Sequence, residues 1–213
     1  MQALIWDLGG TLLDTYPVVD RALAEAVRAG TGGDRVGDAD LHEVALLTRV
    51  SSGHAIETLA RRHGIPEEDL RSAYESTKQT WRQDPPPVTP GAEEVVAAVR
   101  TAGGLNLVST HRDRASATQL LEEVGLEVDD MVCAPDGYPR KPDPAMVLEL
   151  LRRHRLDPGR VLAVGDRPGD VGAAAAAGVR GVLLETPGVP LDAPGARRIT
   201  ALSELLPMLA PGR

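Results

Sequence analysis

Leu4-Ile5-Trp6-Asp7-Leu8-Gly9-Gly10-Thr11-Leu12-Leu13-Asp14 drives a short apolar run straight into a carboxylate, followed by two glycines and a threonine. The run is strand length and apolar at successive positions rather than alternating. It therefore predicts a strand buried on both faces and ending in an acid. Asp7 is thereby expected at the carboxyl end of a strand, the edge at which open α/β sheets gather their ligands.

The same pattern recurs downstream. Apolar runs at Leu105 to Val108, Met131 to Ala134, Val161 to Val164 and Gly181 to Leu184 are strand length, and most end in Gly, Ser, Thr or Asp. Helical patterns lie between or beside them at Gly91 to Thr101, Asp113 to Val124, Asp143 to His154 and Gly169 to Ala177. Strands alternating with helices call for right-handed crossovers. The expected fold class is α/β, a doubly wound parallel sheet with helices on both faces.

Residues 15–88 break that rhythm. Amphipathic helical patterns at Val18 to Ala29, Asp40 to Arg62 and Glu67 to Trp81 follow one another with no strand between. Asp84-Pro85-Pro86-Pro87-Val88-Thr89-Pro90 then forms a stiff, extended connector that helix cannot cross. The expected organisation is an α/β core of residues 1–14 and 89–213, with a small all-helical domain of residues 15–88 inserted after the first strand. Because the insertion leaves from the carboxyl end of that strand, it is expected to act as a lid on the ligand edge.

Composition narrows the partners. A chain of 213 residues can bury a sizeable core. That core must be built from Leu, Val, Ala and Ile, because Phe is absent and aromatics make up 2%. Base stacking on single-stranded nucleic acid has almost nothing to use, and a formal net charge of -8 repels phosphate backbones. Cys133 is the single cysteine, which excludes an intrachain disulfide and fits a reducing compartment. The first residues show no positive n-region, and the apolar tract Val171 to Val179 is far short of the ~20 residues of a membrane span. The expectation is a cytoplasmic protein with neither nucleic acid nor membrane as partner.

Polar clusters follow the predicted strands at Asp7, at Ser109-Thr110-His111 and at Gly165-Asp166-Arg167-Pro168-Gly169-Asp170, and so should converge on one sheet edge. Arg140-Lys141-Pro142-Asp143-Pro144 precedes a helix and can bring Lys141 to the same edge. Hard oxygen ligands from Asp7 and Asp166 suit Mg2+. Lys141 and the Ser109 hydroxyl suit phosphoryl oxygens, and Asp7 is free to attack phosphorus. Taken singly, each residue has a plainer role: a strand-end Asp as cap or turn, Lys141 as a solvated cation, Asp170 as a partner of a helix dipole. The joint order is what favours a site.

That order resembles the haloacid dehalogenase (HAD) superfamily. Asp7-Leu8-Gly9-Gly10-Thr11-Leu12 is similar to its first motif, Leu107-Val108-Ser109 to the second, Lys141-Pro142-Asp143-Pro144 to the third and Val164-Gly165-Asp166-Arg167-Pro168-Gly169-Asp170 to the fourth. The helical insertion resembles the C1 cap of the phosphoglycolate-phosphatase-like branch. The resemblance implies a Mg2+-dependent hydrolase acting on a small phosphorylated metabolite through an aspartyl phosphate. It implies Asp7 as nucleophile and metal ligand, the Gly9 carbonyl and Asp166 as further ligands, and Asp170 as a ligand or its partner. Ser109 and Lys141 become the phosphate-binding pair, with Gly10, Thr110 and His111 lining the substrate beside them.

Gly9 departs from the family's phosphatases, which carry a second aspartate there to protonate the leaving alcohol and then activate water. A positioned acid or base contributes ~10²- to 10⁴-fold per step, so its loss should slow both half-reactions while leaving metal and phosphate binding intact. Non-acids at this position also resemble dehalogenases, with tyrosine, and phosphonatases, with alanine. The phosphonatase comparison needs a cap lysine, for which Lys78 is the one candidate before Lys141. Replacement acids could come from His111, His42 or His54. A different class of function also fits, a phosphate- or metabolite-binding protein that keeps the site without turnover.

Overall fold

The computed structural model describes residues 1–33 and 35–209. Its elements run β1 (Ala3–Trp6), α1 (Tyr16–Thr31), α2 (Asp38–Thr48), α3 (Ser52–His63), α4 (Glu67–Thr80), α5 (Ala92–Thr101), β2 (Leu105–Thr110), α6 (Arg114–Glu123) and β3 (Asp130–Cys133). They continue with α7 (Ala145–His154), β4 (Val161–Gly165), α8 (Pro168–Ala176), β5 (Arg180–Leu184), β6 (Arg197–Ile199) and α9 (Leu206–Leu209). The chain divides into two units, one containing Met1–Asp14 and everything from Pro87 onward, the other Thr15–Pro86.

The first unit is built on a parallel sheet of order β3-β2-β1-β4-β5-β6. β1 is buried at every position, as an apolar strand covered on both faces must be. Its register places Trp6 opposite both Val108 and Val164. Asp7, Ser109 and Gly165 are therefore the next residues out on three adjacent strands. Met146, Val147 and Leu150 of α7 join Ile5, Leu107 and Ala163 in the core and carry the loop before α7 towards that edge. Buried Asn106 accepts from Trp6 Nε1 at 3.0 Å and donates to the Val96 carbonyl at 3.1 Å, so the polar atoms at the centre of the sheet are satisfied.

The secondary-structure elements of the second unit, among the described residues, are the helices α1 to α4. Val19, Leu23 and Val27 make a buried i, i+4, i+8 stripe on α1, and Ala55, Ile56 and Leu59 a buried i, i+1, i+4 face on α3. The single helical pattern expected over Asp40 to Arg62 is two helices. α2 ends at Thr48, and the Ser51 hydroxyl accepts from the His54 amide at 3.0 Å to start α3, a cap that competes with helix continuation. A buried ion pair ties the junction to α1. Arg49 Nη1 lies 2.5 Å from Asp20 Oδ2, Thr48 donates to Asp20 Oδ1 at 2.8 Å, and the guanidinium stacks 3.4 Å above the Tyr16 ring.

Two further differences from the sequence reading are local. β2 runs to Thr110, two residues past the apolar run, because Ser109 and Thr110 pair with Val132 and Cys133. β6 carries two arginines in three residues at the sheet edge, too short and too polar to produce an apolar signal. Among the described residues no helix is long and apolar enough to cross a membrane.

Candidate active site

The site is the carboxyl edge of β1, β2 and β4. Asp7 leaves β1 with its amide held at 2.9 Å by the Val164 carbonyl. The chain then doubles back. Leu13 donates to the Leu8 carbonyl at 2.9 Å and Gly10 donates to the Leu13 carbonyl at 2.7 Å. Gly10 holds this turn with φ 98°, a conformation that side chains strongly disfavour. None of the backbone hydrogen bonds among the described residues ends on the Gly9 carbonyl, which leaves that oxygen available as a ligand.

Lys141 bridges the edge. Its Nζ lies 2.5 Å from Asp7 Oδ1 and 2.5 Å from Asp170 Oδ1, and donates to the Ser109 carbonyl at 2.9 Å. Asp170 is folded back by its own helix start, where its Oδ2 accepts from the Arg167 amide at 2.9 Å. This approach depends on Gly165, because a Cβ there would fall 2.2 Å from the Asp170 Cβ. Asp166 is almost wholly buried, accepts from the Thr11 hydroxyl at 2.7 Å, and has Arg167 Nε 3.9 Å from its other oxygen. Asp7, Asp166 and Asp170 each present an oxygen within a cluster 4.8 Å across.

The electrostatics follow from that crowding. Burial raises the Asp7 carboxyl to about 7, Lys141 opposing and the Asp170 and Asp166 charges adding to the rise. The Lys141 ammonium is held protonated, because its two carboxylate partners outweigh the cost of burying it. Two buried carboxylates and the half-buried Asp7 outnumber the bridging Lys141 ammonium and the Arg167 guanidinium, which leaves an excess of acidic groups. A compact donor set of hard oxygens with that excess fits a divalent cation, which would be held by Asp7, Asp166 and Asp170.

The remaining expected residues divide. Ser109 is 2% exposed and its hydroxyl has no hydrogen-bond partner among the described residues, an orphan at the end of β2. Thr110 is engaged within its own loop and His111 with the loop before α7. The Thr110 hydroxyl accepts from the Arg112 amide at 3.2 Å, and His111 Nε2 accepts from the Lys141 amide at 2.8 Å. Burial, then the Lys141 and Arg140 charges, push the His111 imidazole down to about 3. A ring so held cannot serve as a general acid near neutrality. His42 and His54 are exposed on α2 and α3, and Lys78 pairs with Glu75 at 2.7 Å.

Thr11 and Gly165 are contributors that residue chemistry alone does not flag. Thr11 stands in the quoted motif, but its bond to Asp166 spans 155 positions of sequence. Gly165 matters through the side chain it leaves room for.

A family model described as haloacid dehalogenase-like hydrolase matches residues 1–178. The chain belongs to the haloacid dehalogenase-like hydrolases. It is similar to a phosphoglycolate phosphatase of Nitrosospira multiformis, with 32% identity over 191 residues covering 84% of this chain and 80% of that protein. It is also similar to an N-acetylmuramic acid 6-phosphate phosphatase of Pseudomonas aeruginosa, at 30% identity over 187 residues covering 84% and 80%. Among solved structures, a predicted phosphoglycolate phosphatase from Haemophilus somnus superposes with a TM-score of 0.80 at 17% identity over 99% of this chain and 98% of that one. CbbY from Rhodobacter sphaeroides, solved with phosphate, superposes at 0.71 and 22% identity over 96% of both chains. The structural likenesses establish the fold of this haloacid dehalogenase-like hydrolase, and the sequence likenesses its enzymatic class.

Proposed function

We propose that this chain is a Mg2+-dependent phosphatase acting on a small phosphorylated metabolite through an aspartyl phosphate on Asp7. The observation that carries the reading is the Lys141 ammonium held between Asp7 and Asp170 beside the strand that ends in the orphaned Ser109 hydroxyl. A buried cation and an unpaired donor placed next to a carboxylate are what a transferring phosphoryl group requires. Sequence relatives at 30% and 32% identity that bear phosphatase names support the same class of reaction.

In this reading Asp7, Asp166, Asp170 and the Gly9 carbonyl hold the ion, which when bound neutralises carboxylate and phosphoryl charge. Lys141 opposes the upward push of burial on Asp7 and, with Ser109, takes the phosphoryl oxygens. An Asp7 carboxylate oxygen attacks phosphorus, and the ester P–O bond breaks with its electron pair on the departing oxygen. Water then attacks phosphorus of the aspartyl phosphate, releasing inorganic phosphate and restoring the carboxylate.

Gly9 offers no proton to the departing oxygen, and the His111 ring is committed to the Lys141 amide. The enzyme should therefore prefer leaving groups that need no protonation, such as acyl and aryl phosphates. The test is phosphate release from acetyl phosphate, 4-nitrophenyl phosphate and an alkyl phosphate in Mg2+, with wild type and Asp7→Asn. Release that follows leaving-group acidity and disappears in Asp7→Asn is expected. Equal rates across the series would remove the argument from Gly9. Gly9 also favours a second reading, a binding protein without turnover, which predicts phosphate binding with no release from any substrate.

A further inference from the structure

We infer that His111 is a positioning residue whose neutral ring fixes the backbone of Lys141 and so aims its ammonium between Asp7 and Asp170. This rests on the phosphatase reading for its catalytic meaning but not for its geometry. The ring lies just past the end of β2 and accepts the Lys141 amide at 2.8 Å, while the Lys141 side chain returns to the same strand at the Ser109 carbonyl at 2.9 Å. The loop before α7 is therefore pinned to the end of β2 at both ends of one residue. With the backbone fixed, the four-carbon stem has little choice but to deliver Nζ to the two carboxylates. Without the ring, the amide loses its partner and Lys141 gains the rotamer freedom that a lysine otherwise has.

The hydrogen bond also sets the proton. A backbone N–H can donate only to an unprotonated nitrogen, so Nε2 is the bare atom and the neutral ring carries its hydrogen on Nδ1. The charged groups acting on the ring are Lys141, Arg140, Arg167 and Asp170, a set with more cations than anions. Burial first, and then this surplus of cations, favours the neutral form that the bond needs, so a histidine in the loop of the second motif works here as an acceptor.

The chain contains two lysines, Lys78 and Lys141, and this supplies a direct readout. Acylation by a water-soluble succinimidyl ester, followed by mass spectrometry, compares the Lys141 amine, 5% exposed, with Lys78, 32% exposed in the other unit, as internal control. His111→Phe keeps a ring but no acceptor. His111→Asn is a polar variant too short to reach, and His111→Gln places an amide oxygen near the Nε2 position. Acylation of Lys141 is expected to rise about 5- to 30-fold in His111→Phe and in His111→Asn, the span set by one lost buried hydrogen bond. It should return towards wild type in His111→Gln, with Lys78 unchanged throughout.

In 4-nitrophenyl phosphate hydrolysis, kcat/KM should fall and recover in the same order. Should His111→Phe fail to fold, the Asn and Gln pair carries the comparison. A Lys141 rate that stays at wild type, or a rise shared equally by Lys78, would overturn the inference. A wild-type protein that releases no phosphate would overturn the phosphatase reading alone, because the labelling of Lys141 is read without turnover.

Discussion

Replacing Lys141 by methionine tests the energetic centre of the site. The side chain is 5% exposed, and the Asp7 and Asp170 side chains are 11% and 9% exposed. At an effective dielectric of ~20, each contact at the observed 2.5 Å represents roughly 7 kcal/mol of gross attraction. Most of this is offset by the desolvation of three buried charges, and what the variant loses is the compensation. Methionine has nearly the volume of lysine but leaves two carboxylates buried without their cation. Breaking a buried pair in this way costs ~3–5 kcal/mol.

The loss should depend on pH, and the direction follows from Asp7. Its carboxyl is raised by burial, against the opposing Lys141 charge, from 3.8 to about 7. A group with a raised folded value contributes stability that is complete below the unfolded value and disappears as pH rises through the folded one. Below about 7, Asp7 is protonated in both proteins and contributes little to their difference. Above it, the wild type carries a paired carboxylate, whereas the variant must bury an unpaired one or keep its proton. Urea unfolding with chelator present, at pH 5.5 and 8.5, should show the larger part of the destabilisation only at the higher pH. Equal stability of the two proteins at pH 8.5, or the same loss at both values, would refute the reasoning, the second outcome pointing to packing or to the broken Asp170 pair rather than to Asp7.

Gly9→Asp should raise hydrolysis of an alkyl phosphate by ~10²-fold or more if proton transfer is what the site lacks, as steady-state kinetics would show. Gly165→Ala should move Asp170 off the cluster, because the new Cβ would fall 2.2 Å from the Asp170 Cβ. Weakened Mg2+ binding by calorimetry, with the fold retained, is the expected result. In the helical unit, Arg49→Met leaves Asp20 buried without its cation and should cost ~3–5 kcal/mol in urea unfolding. Adding Asp20→Asn should recover much of it.

The α/β fold was legible in the chain because parallel strands must be apolar on both faces, and apolar runs punctuated by glycines and carboxylates survive as a linear pattern. β1 ends at Trp6, where its apolar run meets Asp7. What failed to register was local competition. Ser51 ends one helix and starts another inside a continuous amphipathic pattern, and β6 is an edge strand with no apolar signature. Within the candidate site, Asp7 and Asp166 could be named from sequence because hard ligands at strand ends are a chemical statement about residue type, whereas Asp170, inside α8, was named only through the family resemblance.

The three-dimensional arrangement decided what those residues do to one another. Sequence by itself determined that a carboxylate would end a buried strand and that Gly9 would bring no acid beside it. Only the tertiary structure showed the His111 ring spent on the Lys141 amide and, among the described residues, the Ser109 hydroxyl left without a partner. Only it showed the space beside Gly165 that lets Asp170 reach Lys141. The physical reason is range: strand burial and backbone freedom are properties of neighbouring residues, whereas hydrogen bonds and ion pairs across 134 or 155 positions exist only once the sheet has set its register.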